Sequence, residues 1–173
     1  MTRPSESKSP VNRFLAGPYG HPFHPILVTV PIGAWISSLV FDIASRIVDR
    51  PGFLAMGSQW LIGIGVIGAL AAATVGVLDL LAIPSGTVAF RTALMHMGLN
   101  VTITAAFIIN FLWRQASYSA SAPVELGPLT LSVLSIAALG VSGFLGGKLA
   151  YRYGVRVAGE VDQADGFGPS SPS

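Results

Sequence analysis

Few side chains in this sequence could do chemistry, and the informative ones are histidine and aspartate. His21 and His24 stand in His21-Pro22-Phe23-His24-Pro25, immediately before a long apolar run. Proline disfavours α geometry in the residue before it, which predicts an extended entry with Pro25 at the first helical position and His24 near the N-cap. His96 and Asn100 are one helical turn apart in a later apolar run, with Thr92 a turn earlier, so the three share one polar stripe. At 1.5 Å of rise per residue, Asp79 lies about 6 Å inside the end of its own run and His96 about 7.5 Å beyond Arg91. Carboxylate and imidazole are thus expected at matched depth on either side of a short turn. Imidazole suits iron, zinc and copper alike, and histidines from facing helices commonly hold cofactors inside four-helix bundles. The chemistry to expect is a b-type haem with His96 and either His24 or His21 as axial ligands, backed by Asn100 and Asp79. A non-haem metal held by His24, His96 and Asp79 is the variant of the same idea.

Each of these residues has a plainer use. A carboxylate beside an imidazole can fix its tautomer, but Asp79 could instead form an ion pair with Arg91. Pro31 removes a backbone donor inside the first run and predicts a kink. Asp42 and Arg46 are spaced i, i+4 and are expected to form a salt bridge, with Asn110 and Arg114 at similar depth in a structural cluster. Lys148, Tyr151 and Arg152 close the last apolar run. Snorkelling to headgroups accounts for the two cations, and their place also suits an anionic group such as a haem propionate or a lipid phosphate. Two further readings stay open: a proton-coupled transporter subunit relaying through His24, Asp79 and His96, or a structural subunit with no cofactor.

The elements that must position these groups are apolar and long. Of the 173 residues, 51% are hydrophobic and only 10% charged, against roughly 25% charged in soluble domains. Runs of about 25–48, 60–83, 88–113 and 128–150 each reach the roughly 20 residues that a helix needs to cross hydrocarbon. Lipid offers no partner for a free backbone amide, so each run must be helical. The expected fold is all-α, a membrane-embedded four-helix bundle over residues 18–157, with a flexible tail over 1–17 and a disordered one over 158–173. The turn at Pro84-Ser85-Gly86-Thr87 makes the middle two helices antiparallel neighbours. Gly68, Ala72 and Gly76, and the GxxxG of Gly143 and Gly147, predict close helix packing.

Charge and motifs exclude several classes. The net charge of +2 comes from scattered lysines and arginines, with no basic stripe for nucleic acid. The absence of cysteine excludes thiolate clusters and disulfides. No nucleophile elbow, phosphate loop or metalloprotease motif is present, so an enzyme is not expected. Arg3, Lys8, Arg13, Arg91, Lys148, Arg152 and Arg156 would share one side, against Arg46, Arg50 and Arg114 on the other. That asymmetry predicts both termini in the cytoplasm. The partner to expect first is the lipid bilayer, and a homo-oligomer is compatible with the pattern.

The string HPFHPILVTVPIGAW, then Asp42, GVLDLLAIPSGT, RTALMH with Asn100, and the late GGKLAYRYGVRV together resemble the DUF2231 family of predicted bacterial membrane proteins. The resemblance covers about residues 20 to 157. It implies the membrane fold, a place in the bacterial inner membrane, and an association with Rieske-type iron–sulfur proteins, hence an electron-transfer setting.

Overall fold

Pro31 divides the first span in the way its missing N–H requires. In the computed structural model, which describes residues 23–117, 122–157 and 159, α1 (Phe23–Leu27) and α2 (Thr29–Ser45) are separated only at Val28. The bonds from Val28 N–H to the His24 carbonyl and from Ile32 N–H to the Val28 carbonyl carry the helix through the break. The remaining spans are α3 (Gly52–Leu81), α4 (Val88–Ser117) and α5 (Leu126–Gly147), the last continued by a π-helical turn at Lys148–Arg152. Four stretches are long and apolar enough to cross a membrane: Phe23–Ser45, Gly52–Leu81, Val88–Ala116 and Leu126–Arg152. Within an 18-residue apolar window of each, between 17% and 28% is buried by the protein itself, so lipid must cover most of the apolar surface.

The first span packs chiefly on the second and the third on the fourth, and contacts between second and third and between first and fourth close the ring. This is an up-down-up-down bundle, so Phe23 and Val157 lie at the same end. Thr87 starts the third span by accepting the Phe90 N–H at 3.1 Å, after a turn in which Gly86 takes φ 81°.

Helix bounds differ from the expected ones in two informative places. The second span begins at Gly52 rather than near residue 60, because Ser58 and Gln59 are buried against protein rather than left in a loop. His24 is inside α1 rather than in an extended entry; Pro25 falls in the first turn, where no helical amide is needed. The stripe of Gly68, Ala72 and Gly76 does seat the first span: a Cβ at Gly68 would lie 2.7 Å from Val30. The GxxxG pair does not act in this way, since Gly143 faces outward with nothing within 4 Å. His21, the 1–17 tail and, apart from residue 159, the 158–173 tail lie outside the described residues.

An apolar layer crosses the middle of the bundle. Trp35 and Phe107 stack with ring centroids 4.2 Å apart, flanked by Ile62 and Ile103. Trp35 Nε1 donates to the Ile62 carbonyl at 3.3 Å. The ionisable groups described below lie on both sides of this layer.

Candidate functional site

At the end of the bundle that holds Phe23 and Val157, two imidazoles approach across three helices. The His24 and His96 ring centroids are 6.5 Å apart, with ring planes inclined at 78°. Each ring is fixed from behind by a backbone carbonyl. His24 Nδ1 donates to the Ala72 carbonyl at 3.0 Å and His96 Nδ1 to the Ser142 carbonyl at 2.9 Å, with Ser142 Oγ at 3.1 Å. A carbonyl can only accept, so both rings carry a proton on Nδ1. Asn100 lies one turn along from His96 and donates through Nδ2 to the His96 carbonyl at 2.9 Å and to His96 Nε2 at 3.1 Å.

Both rings rest on glycine. A Cβ at Gly76 would stand 3.1 Å from His24 Cε1, and one at Gly146 would stand 3.2 Å from His96 Cε1. These contacts are too tight for a branched side chain. Gly146→Val is therefore expected to swing the imidazole off the Ser142 carbonyl and to lower stability by about 1–3 kcal/mol. Thermal unfolding in mild detergent measures this, and an unchanged midpoint contradicts the packing described.

Asp79 does not pair with Arg91, which is exposed. Its Oδ1 instead lies 2.8 Å from Arg156 Nε, and both side chains are largely covered. The chain reaches that carboxylate by turning back after the fourth span. The π-helical turn closes with Tyr153 N–H on the Lys148 carbonyl, and Gly154 (φ 64°) and Arg156 (φ 60°) are both left-handed. For arginine that conformation costs about 1–3 kcal/mol and needs its surroundings to hold it. Lys148 Nζ stands over the Tyr153 ring at 5.8 Å, while Tyr151 and Arg152 are exposed. Among the described residues no hydrogen bond or ion pair joins these three to either histidine. Nor do any three His, Asp or Glu side chains among them converge as a metal-holding group.

The opposite end holds a second polar cluster. The Asp42–Arg46 salt bridge expected from spacing is not formed. Arg114 reaches Asp42 in a two-pronged pair at 2.7 Å on each oxygen, and Arg46 donates to the Val124 carbonyl at 2.8 Å. Arg114 is longer and approaches from the facing span, so its planar fork matches the carboxylate where a residue on the same helix cannot. Its other contacts are Asn110 Oδ1 at 2.7 Å, Ser58 Oγ at 3.0 Å and Ser132 Oγ at 3.2 Å. Asp42 accepts further bonds from Ser58 and Ser132. All four spans thus meet at one buried ion pair.

Sequence reasoning placed Asp42, Asn110 and Arg114 at this end but missed Ser58 and Ser132. At the histidine end it missed Ser142 and Gly146, read Gly76 only as helix packing, and counted Arg156 only as a cation of that side. Serines and glycines at the depth of an ionisable group were the available signal.

A family model described as a predicted membrane protein, DUF2231, matches residues 20–159. No curated protein and no solved structure matches the chain.

Proposed function

The chain belongs to the DUF2231 family of predicted membrane proteins, and from that premise we propose that it is a multi-pass membrane subunit holding a b-type haem between His24 and His96. The observation that carries this reading is the pair of imidazoles with Nδ1–H bonded to backbone carbonyls. Metal-ligating histidines characteristically anchor their second nitrogen in this way, which orients the ring and strengthens Nε2 as a donor. With their ring centres 6.5 Å apart, His24 and His96 are the two residues that would hold the iron.

The number of donors favours haem over a bare ion. Bare zinc sites take three or four protein ligands, and only two imidazoles meet here among the described residues. An iron porphyrin supplies its own four nitrogens and, when bound, one-electron redox chemistry. The protein's part is to orient both rings, seat them on Gly76 and Gly146, and keep water from entering along the bundle axis.

Charge supports one orientation. Arg114 and Arg156 are each paired with a carboxylate, which leaves Arg91, Lys148 and Arg152 at the histidine end against Arg46 and Arg50 at the other. The positive-inside tendency supports a histidine end on the cytoplasmic side, with the bacterial inner membrane the one that the resemblance implies. Electrons would be exchanged with a redox partner docking at that end, the Rieske-type association implied by the resemblance being one such partner. The apolar layer of Trp35, Ile62, Ile103 and Phe107 stands between the two polar ends and disfavours the proton-relay alternative.

Asn100 favours a second reading, in which the histidines are hydrogen-bonded struts and no cofactor binds. Its amide occupies the Nε2 lone pair that a metal would use. Titration with haemin separates the two. Under the haem reading Asn100→Ala removes a competing bond worth about 1 kcal/mol and tightens binding about fivefold. Under the strut reading it leaves haemin unbound and only lowers stability.

A further inference from the structure

The geometry points to a latch: residues Tyr153–Val157 form a strap that the Arg156–Asp79 ion pair holds closed against the second span. Three independent features place it there. The fourth span ends in a π-helical turn at Lys148–Arg152, which widens the helix and re-aims the chain. The Val155 N–H to Leu149 and Gly154 N–H to Ala150 carbonyl bonds, both about the left-handed Gly154, then turn it back over the bundle. Finally Arg156 sits at φ 60°, where glycine, asparagine and aspartate are at ease and arginine is not. A strained residue at the tip of a returning segment, with its Nε 2.8 Å from a carboxylate on another helix, ties the closed form to that ion pair.

While the strap is closed, Arg156 occupies the Asp79 carboxylate. The strap stands on its own geometry and does not depend on what the two histidines bind.

The chain contains no cysteine, so an introduced one is the sole thiol. Val155→Cys places it in the half-buried strap, and Ala34→Cys places one in the bundle interior as a control. In the full-length protein in mild detergent, adding Asp79→Asn is expected to raise maleimide labelling at position 155 by at least about tenfold and to leave position 34 unchanged. The exchanged pair Asp79→Arg with Arg156→Asp should restore protection, since aspartate tolerates φ 60°. Labelling at 155 that stays within about twofold on Asp79→Asn overturns the latch. So does a parallel rise at 34, which means that the whole bundle has opened. Neither readout uses haem, so the latch can fail while the proposed function stands, or the reverse.

Discussion

Arg114→Ala is expected to destabilise the bundle by about 3–5 kcal/mol, the largest effect of any single substitution considered. Asp42 is fully buried, and removing the guanidinium leaves its charge without the two 2.7 Å bonds that compensate it. The damage is amplified because the same arginine holds Asn110, Ser58 and Ser132. Breaking one partner of a buried pair costs far more than removing both, since the orphaned charge carries the penalty. Asp42→Leu with Arg114→Leu should therefore recover much of the loss. Unfolding curves in mild detergent measure both variants. A double variant as unstable as Arg114→Ala alone would show that the pair acts through its hydrogen bonds to the serines and not through charge.

His96→Ala is expected to separate binding from stability. Hydrogen bonds inside membrane bundles average about 0.6 kcal/mol, so losing the contacts to Ser142 and Asn100 should shift unfolding only slightly. Changing a group that merely orients a metal ligand weakens binding about 10–100-fold, and removing the ligand itself should cost at least about a hundredfold. Haemin titration followed by absorbance reads this directly, with His24→Ala as the matched variant. A large stability loss with unchanged haemin affinity would reverse the assignment and leave His96 as a strut.

These two expectations differ in how far sequence leads to them. The four spans follow from apolar length, and the Pro31 break from the missing amide that leaves the Leu27 carbonyl unpaired. The His24–His96 approach follows from depth along each helix combined with antiparallel order. Pairings are different. Asp42–Arg46 and Asp79–Arg91 were the neighbours in sequence or across a turn, yet Arg114 and Arg156 hold the carboxylates. Spacing along one helix sets which residues share a face, but not how far the facing helix is rotated, and that rotation selects the partner. Helix rotation here is fixed by close approaches: Gly65 under Trp35, Gly76 under His24 and Gly146 under His96. A glycine in an apolar run is read as close helix packing, and the sequence does not say which ring it seats. Arg156 lies after a left-handed glycine, where helical periodicity no longer says where a side chain goes.

The most direct test of the haem assignment is the absorbance spectrum of the protein purified in mild detergent from cells supplied with iron and a haem precursor. The account predicts a Soret band of low-spin, bis-imidazole character and iron in stoichiometric amount, both lost in His24→Ala and in His96→Ala. A well-folded, colourless preparation that also fails to take up added haemin would contradict it.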